Sequence, residues 1–203
     1  MNNTAALKGV IVIASGNQGK IREFSNLLAP LNLEAQPQPK DLIVEETGSS
    51  FAENARIKAS MVASVTGQWV LADDSGLCVT GLKGAPGVFS SRYANSDEAR
   101  IARLLQELKQ AETLDRSAHF SAALAVADPS GRIKIEVEGR CPGTILEQPR
   151  GDGGFGYDPV FYVPEFDQTF AEMSKDIKNR VGHRGRAFKA LEPKLKAEMN
   201  SSP

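Results

Sequence analysis

A short apolar run, Trp69-Val70-Leu71-Ala72, ends on two adjacent carboxylates, Asp73 and Asp74, and Ser75-Gly76-Leu77 follows. Such a run reads as a strand buried inside a sheet. A strand turns successive side chains to opposite faces, so one Asp is expected to face the loop side and its neighbour to face away. Ser75-Gly76 is then expected to turn the backbone tightly. Carboxylates at the end of a buried strand suit a hard divalent cation such as Mg²⁺. The same residues also suit an Asp turn that only ends a strand.

Four other islands carry comparable chemistry. Ser15-Gly16-Asn17-Gln18-Gly19-Lys20 joins a buried run to a helical pattern. Backbone N–H groups, a helix N-terminus and a lysine are what a triphosphate needs. It is not a P-loop, because its glycines are too close and Ile21 stands where a Ser or Thr would hold Mg²⁺. The plain alternative is a Gly-Asn turn with a solvated lysine. In Glu45-Glu46-Thr47-Gly48 a glutamate could reach the same cation as Asp74, although alone the segment reads as a solvated acidic loop. Gly153-Gly154-Phe155-Gly156-Tyr157-Asp158-Pro159 has glycines that let the backbone approach a ligand, and Phe155 can stack on a flat ring, a contact worth ~1–3 kcal/mol per base in nucleic-acid binders. A glycine-rich turn with its aromatics in the core fits that segment equally. Lys175, Lys178, Asn179, His183 and Arg184 form a polar cluster that offers donors to a carbonyl-bearing ring. A lone His near a helix start is more often a cap or a surface residue. His119 falls inside an expected strand and is read as structural.

The elements that position these islands follow from hydrophobic period. Val10-Ile11-Val12-Ile13-Ala14 is apolar and β-branched and predicts a central strand. Ile21, Phe24, Leu28 and Leu31 recur at helical spacing, with Pro30 marking the end; Pro37 and Pro39 read as a connection. Ser50-Phe51-Ala52-Glu53 is a capping box that starts a helix at Phe51. Phe51, Ala55, Lys58, Ala59 and Val62 share one face of it, and Gly67 can close it. Glu53 therefore has a structural task, while Lys58 either snorkels or delivers a cation into a cleft. Ile101, Leu104, Leu105 and Leu108 predict another helix. Ala118 to Ala127 and Arg132 to Val137 predict a hairpin through Asp128-Pro129-Ser130-Gly131, with Pro in its favoured turn position; Ile133, Ile135 and Val137 alternate with charged residues there. Ile145 and Val160 to Val163 suggest further strands. Phe188, Leu191 and Leu195 mark a terminal helix that Pro193 can bend. Strand-loop-helix units come first and antiparallel strands later, which predicts a mixed α/β sheet, elongated and two-lobed. A cleft between lobes is the default ligand site.

Composition bounds the function. The 203 residues suffice for one core, or one core with a small lobe. With 41% hydrophobic and 24% charged residues, the chain is globular rather than disordered. A net charge of −1 argues against a nucleic-acid coat or a membrane-surface binder, so a polyanion must be met by local cations. Cys78 and Cys141 have no metal spacing and read as thiols in a reducing cytosol. No apolar run is long enough to span a bilayer, no signal peptide is legible, and the residues from Asn200 to Pro203 are expected to fray.

Taken together, the islands resemble the inosine triphosphate pyrophosphatase family, the noncanonical purine nucleoside triphosphate pyrophosphatases. The resemblance runs from about Val10 to Leu191. It rests on Ser15-Gly16-Asn17 with Lys20, Glu45-Glu46-Thr47-Gly48, Phe51-Ala52-Glu53-Asn54-Ala55, Ala72 to Leu77, Gly84-Ala85-Pro86-Gly87, Gly153 to Pro159, and His183-Arg184. It implies an elongated, mixed-sheet, two-lobed α/β fold with a central nucleotide-binding cleft, a single domain over residues 1–203, a homodimer and a need for Mg²⁺. It implies hydrolysis of ITP, dITP and XTP to the monophosphate and pyrophosphate, a cytoplasmic cleansing of the nucleotide pool. Asp74 resembles the family's proton-accepting, metal-binding carboxylate, and Glu45 its second metal-associated carboxylate, with Glu46 a neighbour. Ser15, Gly16, Asn17, Gln18, Gly19 and Lys20 resemble the triphosphate loop. Ser75, Phe155, Gly156, Tyr157, Asp158, Lys178, His183 and Arg184 resemble the remaining substrate contacts, and Lys175 competes with Lys178 for its place. The family often has Ser before the His-Arg pair, where this chain has Gly182. The rival readings are a non-catalytic nucleotide sensor and a pyrophosphatase of modified pyrimidine triphosphates.

Overall fold

The computed structural model of the chain describes residues 7–111 and 113–200. The expected fraying of Ser201, Ser202 and Pro203 lies outside them. Seven strands form one mixed sheet in the order β2-β1-β3-β4-β5-β6-β7. They are β1 (Val10–Ile13), β2 (Glu34–Pro37), β3 (Val70–Val79), β4 (Ser117–Ala127), β5 (Ile133–Ile145), β6 (Phe161–Val163) and β7 (Gln168–Thr169). The helices are α1 (Gln18–Leu28), α2 (Phe51–Thr66), α3 (Asp97–Gln110), α4 (Lys175–Val181) and α5 (His183–Asn200). β1 pairs in parallel with β2 and β3, whereas β5, β6 and β7 pair antiparallel. The α/β class and the change from parallel to antiparallel pairing are those the pattern predicts.

The chain divides into two compact units. The first comprises Met1–Asp74, Ala122–Gly139 and Gly185–Pro203, the second Ser75–Ser121 and Arg140–Arg184. In the first unit the strands alternate between two apolar clusters. Ile11, Ile13, Leu71, Ala122 and Leu124 join Phe24 of α1 and Phe188, Leu191 and Leu195 of α5. Val12, Ala14, Val70, Ala72, Ala123 and Ala125 join Ala55, Ala59, Val62 and Ala63 of α2. Small residues on both partners let α2 approach the sheet closely. The second unit has one core, built from Leu77, Val79, Leu104, Phe120, Cys141, Tyr157, Phe161 and Phe170 among others.

Several local signals act as read. Ser50 caps α2, its Oγ accepting from Glu53 N at 3.2 Å. Glu53 Oε2 answers by accepting from Ser49 N at 2.7 Å. Gly67 closes the helix in the left-handed conformation. Pro30 lies in a 3-10 turn that follows α1 directly. The Asp128–Gly131 turn closes with Gly131 N donating to Asp128 O at 2.8 Å.

Other expectations need correction. β3 does not stop at its carboxylates, and Ser75-Gly76 is not a turn; the strand continues to Val79. Asp, Ser and Gly are turn formers, but a lysine pairs with each Asp side chain inside the protein, and Leu77 and Val79 carry the alternation into the second core. Ile145 is the end of the long β5 rather than a separate strand. Pro37 closes a short strand, β2, at the sheet edge. The polar segment before the last helix is itself helical, as α4. Both cysteines are free thiols, Cys141 buried and Cys78 half-buried. Among the described residues, no helix is long and apolar enough to cross a membrane.

Candidate active site

In the first unit, β3 carries its two acids past the end of β1. Pairing between these strands extends only to Ile13 and Leu71. Alternation then sends Asp73 towards the α1 face and Asp74 towards the α2 face. Each meets a lysine from the helix on its side. Lys20 Nζ lies 2.8 Å from Asp73 Oδ2, and Lys58 Nζ lies 2.9 Å from Asp74 Oδ1. Both ammonium groups also donate to the Asp73 carbonyl oxygen, at 3.5 and 2.9 Å. Lys58 further holds Glu46 Oε1 at 2.8 Å. Two ammonium groups thus face three carboxylates around one stretch of backbone. Asp74 is only 6% exposed. Burial pushes its carboxyl above the ordinary carboxylate range; Lys58 opposes the rise and Glu46 adds to it. Burial works against the Lys58 charge, yet Asp74 and Glu46 beside it hold its pKa above the ordinary lysine value.

Lys20 and Asp74 thereby belong to one charge cluster, joined through the Asp73 carbonyl and Lys58. Of the two adjacent glutamates, Glu46 is the one the structure brings to Asp74 through Lys58, while Glu45 is exposed. Asn17 is the N-cap of α1, its Oδ1 accepting from Gly19 N at 2.8 Å and Lys20 N at 3.1 Å. Ser15 Oγ accepts from Asn17 N at 3.1 Å. Three amides aimed at phosphate by the sequence reading are therefore engaged within the loop. Its cationic contribution is the Lys20 ammonium at the positive end of α1. Gly16, Asn17 and Gln18 are exposed and Gly19 half-buried.

Sequence reasoning left Lys58 open and named Asp73 and Asn54 without giving either a role at the site. The available signal was polar residues on an apolar stripe. Asn54 and Lys58 stand four apart on the face of α2 that also carries Ala55, Ala59 and Val62.

In the second unit, Asp158 Oδ2 accepts from Lys178 Nζ at 2.6 Å and from Phe155 N at 2.8 Å. Lys178 thus pairs with Asp158, whereas Lys175 is exposed. Lys178 and Arg184 lie over the Phe155 ring at 4.8 and 5.6 Å from its centroid, so the ring reads as a cation-bearing face. Arg184 Nη2 donates to Ser75 Oγ at 2.7 Å. His183 is buried and stacks on Phe120, with centroids 4.7 Å apart and planes 13° from parallel. Tyr157 is also a core residue, its hydroxyl donating to Ser90 O at 2.9 Å. Half-buried Gly156 holds a left-handed φ of 64°. At Gly182 a Cβ would sit 2.6 Å from the Lys178 carbonyl oxygen, so a bare backbone suits the tight junction of α4 and α5.

The first cluster fits a hard cation. Glu46 and Asp74 each place an oxygen at hydrogen-bond distance from the same ammonium, and acids outnumber cations in the cluster. Among the described residues, no three Asp, Glu, His or Cys side chains form a metal cage. One or two carboxylates with the remaining positions left to phosphate and water is the usual protein share of a Mg²⁺ site.

A mixed α/β sheet that gathers acids and lysines where β3 outruns β1 belongs to a recognisable class. The chain matches the Ham1 family over residues 11–194 and is a member of it, which bears out the resemblance read from the sequence. A curated relative from Prochlorococcus marinus, named dITP/XTP pyrophosphatase, is 60% identical over 96% of this chain and 95% of its own length. A relative of the same name from Nostoc is 51% identical over 95% and 97%. The solved HAM1 protein from Coxiella burnetii is 43% identical, with a TM-score of 0.85 over 94% of this chain and all of that one. A Mycobacterium abscessus structure, titled nucleoside-triphosphatase / dITP/XTP pyrophosphatase, is 40% identical with a TM-score of 0.71, covering 91% of this chain and 99% of its own.

Proposed function

We propose that this protein hydrolyses dITP, ITP and XTP to the monophosphate and pyrophosphate in a Mg²⁺-dependent reaction that clears deaminated purines from the nucleotide pool. The observation that carries this reading is the cluster around Asp74, where two lysines and three carboxylates from α1, α2, β3 and the 45–48 loop converge. The names of relatives sharing half or more of the sequence support the substrate class.

Asp74 and Glu46 are the residues that would hold Mg²⁺, which when bound neutralises charge on the phosphates. Lys20 binds the phosphate tail, exchanging part of its pairing with Asp73 for the ligand. Asp74 orients the water that attacks the α-phosphorus and accepts its proton, and pyrophosphate departs. Positioning and electrostatics supply most of the acceleration. The family resemblance assigns Phe155, Lys178 and Arg184 to substrate contacts, and together they supply an aromatic face and donors suited to a 6-keto oxygen. A 6-amino group would set donor against donor, a mismatch that rejects analogues by factors on the order of 10⁴ in sites built around such bonds. His183, packed on Phe120, contributes by shaping this surface. The family resemblance further supports a homodimer working in the cytoplasm.

The test is pyrophosphate release from ITP, dITP, XTP, GTP and ATP, with and without Mg²⁺. The reading requires Mg²⁺-dependent turnover of the first three far above the last two. Asp74→Asn, which keeps the size of the side chain, is expected to lower turnover about 10²–10³-fold while far-UV circular dichroism stays unchanged, a loss on the scale of removing one preorganised group that stabilises the transition state. Binding without pyrophosphate release identifies a sensor instead, and a preference for modified pyrimidine triphosphates identifies the other rival.

A further inference from the structure

We propose that Asn54 is a positioning residue whose side-chain amide locks the Asp74 carboxylate and the Glu46-bearing loop into one fixed relation. The inference rests on the reading of Asp74 as the reacting carboxylate and adds a residue that reading does not need. Asn54 is wholly buried, in the first turn of α2. Its Nδ2 donates to Asp74 Oδ2 at 3.2 Å, and its Oδ1 accepts from Gly48 N at 2.8 Å. One short side chain thus holds both segments that deliver the acids.

The geometry is specific to an amide. Asp74 Oδ1 is already held by Lys58 at 2.9 Å. A second donor on Oδ2 fixes the plane of the carboxylate, which a single contact leaves free to rotate. The donor must be neutral, because a third ammonium in the cluster would compete for the place of a cation. The acceptor end works only because the loop comes close. A Cβ on Gly48 would lie 2.6 Å from Glu53 Cβ and 2.7 Å from Asn54 Oδ1, so no side chain fits between loop and helix. Glu46 lies two residues before that anchor and reaches Lys58 Nζ at 2.8 Å. Asn54 leaves the charge of the cluster unchanged and sets its geometry, as groups behind a first ligand shell do.

Two substitutions separate the two hands. Asn54→Asp keeps the shape and the acceptor for Gly48 but replaces the donor facing Asp74 with an anion. Asn54→Ala removes both contacts. At saturating Mg²⁺ and pH 8, Asn54→Asp is expected to lower kcat for dITP 10- to 100-fold, the range for losing such a supporting partner, with KM within threefold of the unsubstituted protein. Hydrogen–deuterium exchange of the 43–50 segment is expected to stay slow in Asn54→Asp and to accelerate at least tenfold in Asn54→Ala, with the rest of α2 protected in both. A kcat for Asn54→Asp within threefold of the unsubstituted protein overturns the proposal, as does unchanged exchange in Asn54→Ala. If the unsubstituted protein releases no pyrophosphate, the functional reading fails, and the exchange comparison still decides whether Asn54 holds the loop. Should one variant not fold, the measurement on the other stands alone.

Discussion

Asp73 and Asp74 are neighbours in the chain and opposite in direction, and each pairs with a lysine from a different helix. Removing one partner of a buried ion pair costs about 3–5 kcal/mol when the remaining charge is stranded; here each lysine also donates to the Asp73 carbonyl, which tempers the cost of losing an acid but not of losing a lysine. A surface pair behaves differently. Glu172 is held by Arg150 at 2.8 Å and by Thr169 N at 2.8 Å, and these bonds, the Arg150 contact first, draw its pKa down to about 2. A depressed carboxylate stabilises the fold above its unfolded pKa near 4.5 and loses that contribution as pH falls through the folded value. Glu172→Gln is therefore expected to melt below the unsubstituted protein at pH 6, with the gap closing as the pH falls from about 4.5 towards about 2; a gap independent of pH would remove the ion pair as its cause. Residue identities at the site were only partly legible. Asp74 and Lys20 stand at the ends of strongly patterned segments. Glu45 and Glu46 lie in an unpatterned loop, where only a distant lysine decides which of them points inward.

At the level of elements, the glycine-rich loop before β6 is held by its own acid. Gly154 has a φ of 76°, and a Cβ there would collide with the Asp158 carboxylate that binds Lys178 and the Phe155 amide. Left-handed backbone costs an L-residue about 1–2 kcal/mol, and the collision adds to it. Gly154→Ala is expected to destabilise the protein by about 2–4 kcal/mol in urea unfolding and to raise KM for dITP, because Asp158 and Phe155 must both shift. A stability within about 0.5 kcal/mol of the unsubstituted protein, the usual range for a neutral surface change, would contradict the packing described. Elements with a strong period were legible: β1, α2 with its cap and closing glycine, and the β4–β5 hairpin. α4 was not, because it buries no residue fully and so shows no apolar stripe. β2 was hidden by Pro37, which an edge strand tolerates. The second half of β3 was hidden by turn-forming residues whose cationic partners come from elsewhere in the chain.

For the molecule as a whole, the sparse protein share of the proposed cation site predicts a thermodynamic signature. With no three-ligand cage among the described residues, Mg²⁺ alone is expected to leave the melting temperature within 1 °C of the metal-free protein. Mg²⁺ with a non-hydrolysable dITP analogue at a hundred times its dissociation constant is expected to stabilise the fold by about 2.7 kcal/mol, read as an upward shift in differential scanning calorimetry. A large shift with Mg²⁺ alone would show that the protein builds its own cage.

The backbone passes between the two compact units four times, at Asp74, Ser121, Gly139 and Arg184. During synthesis, the cluster that Phe188, Leu191 and Leu195 complete waits for α5, although its first strands were translated long before. Chains emerge at about 5–20 residues per second, so α1 meets β1 at once, whereas the part of this cluster that α5 covers stays open for several seconds while the second unit is made. The first unit's fold therefore closes only when the last segment of the chain, α5, has been made.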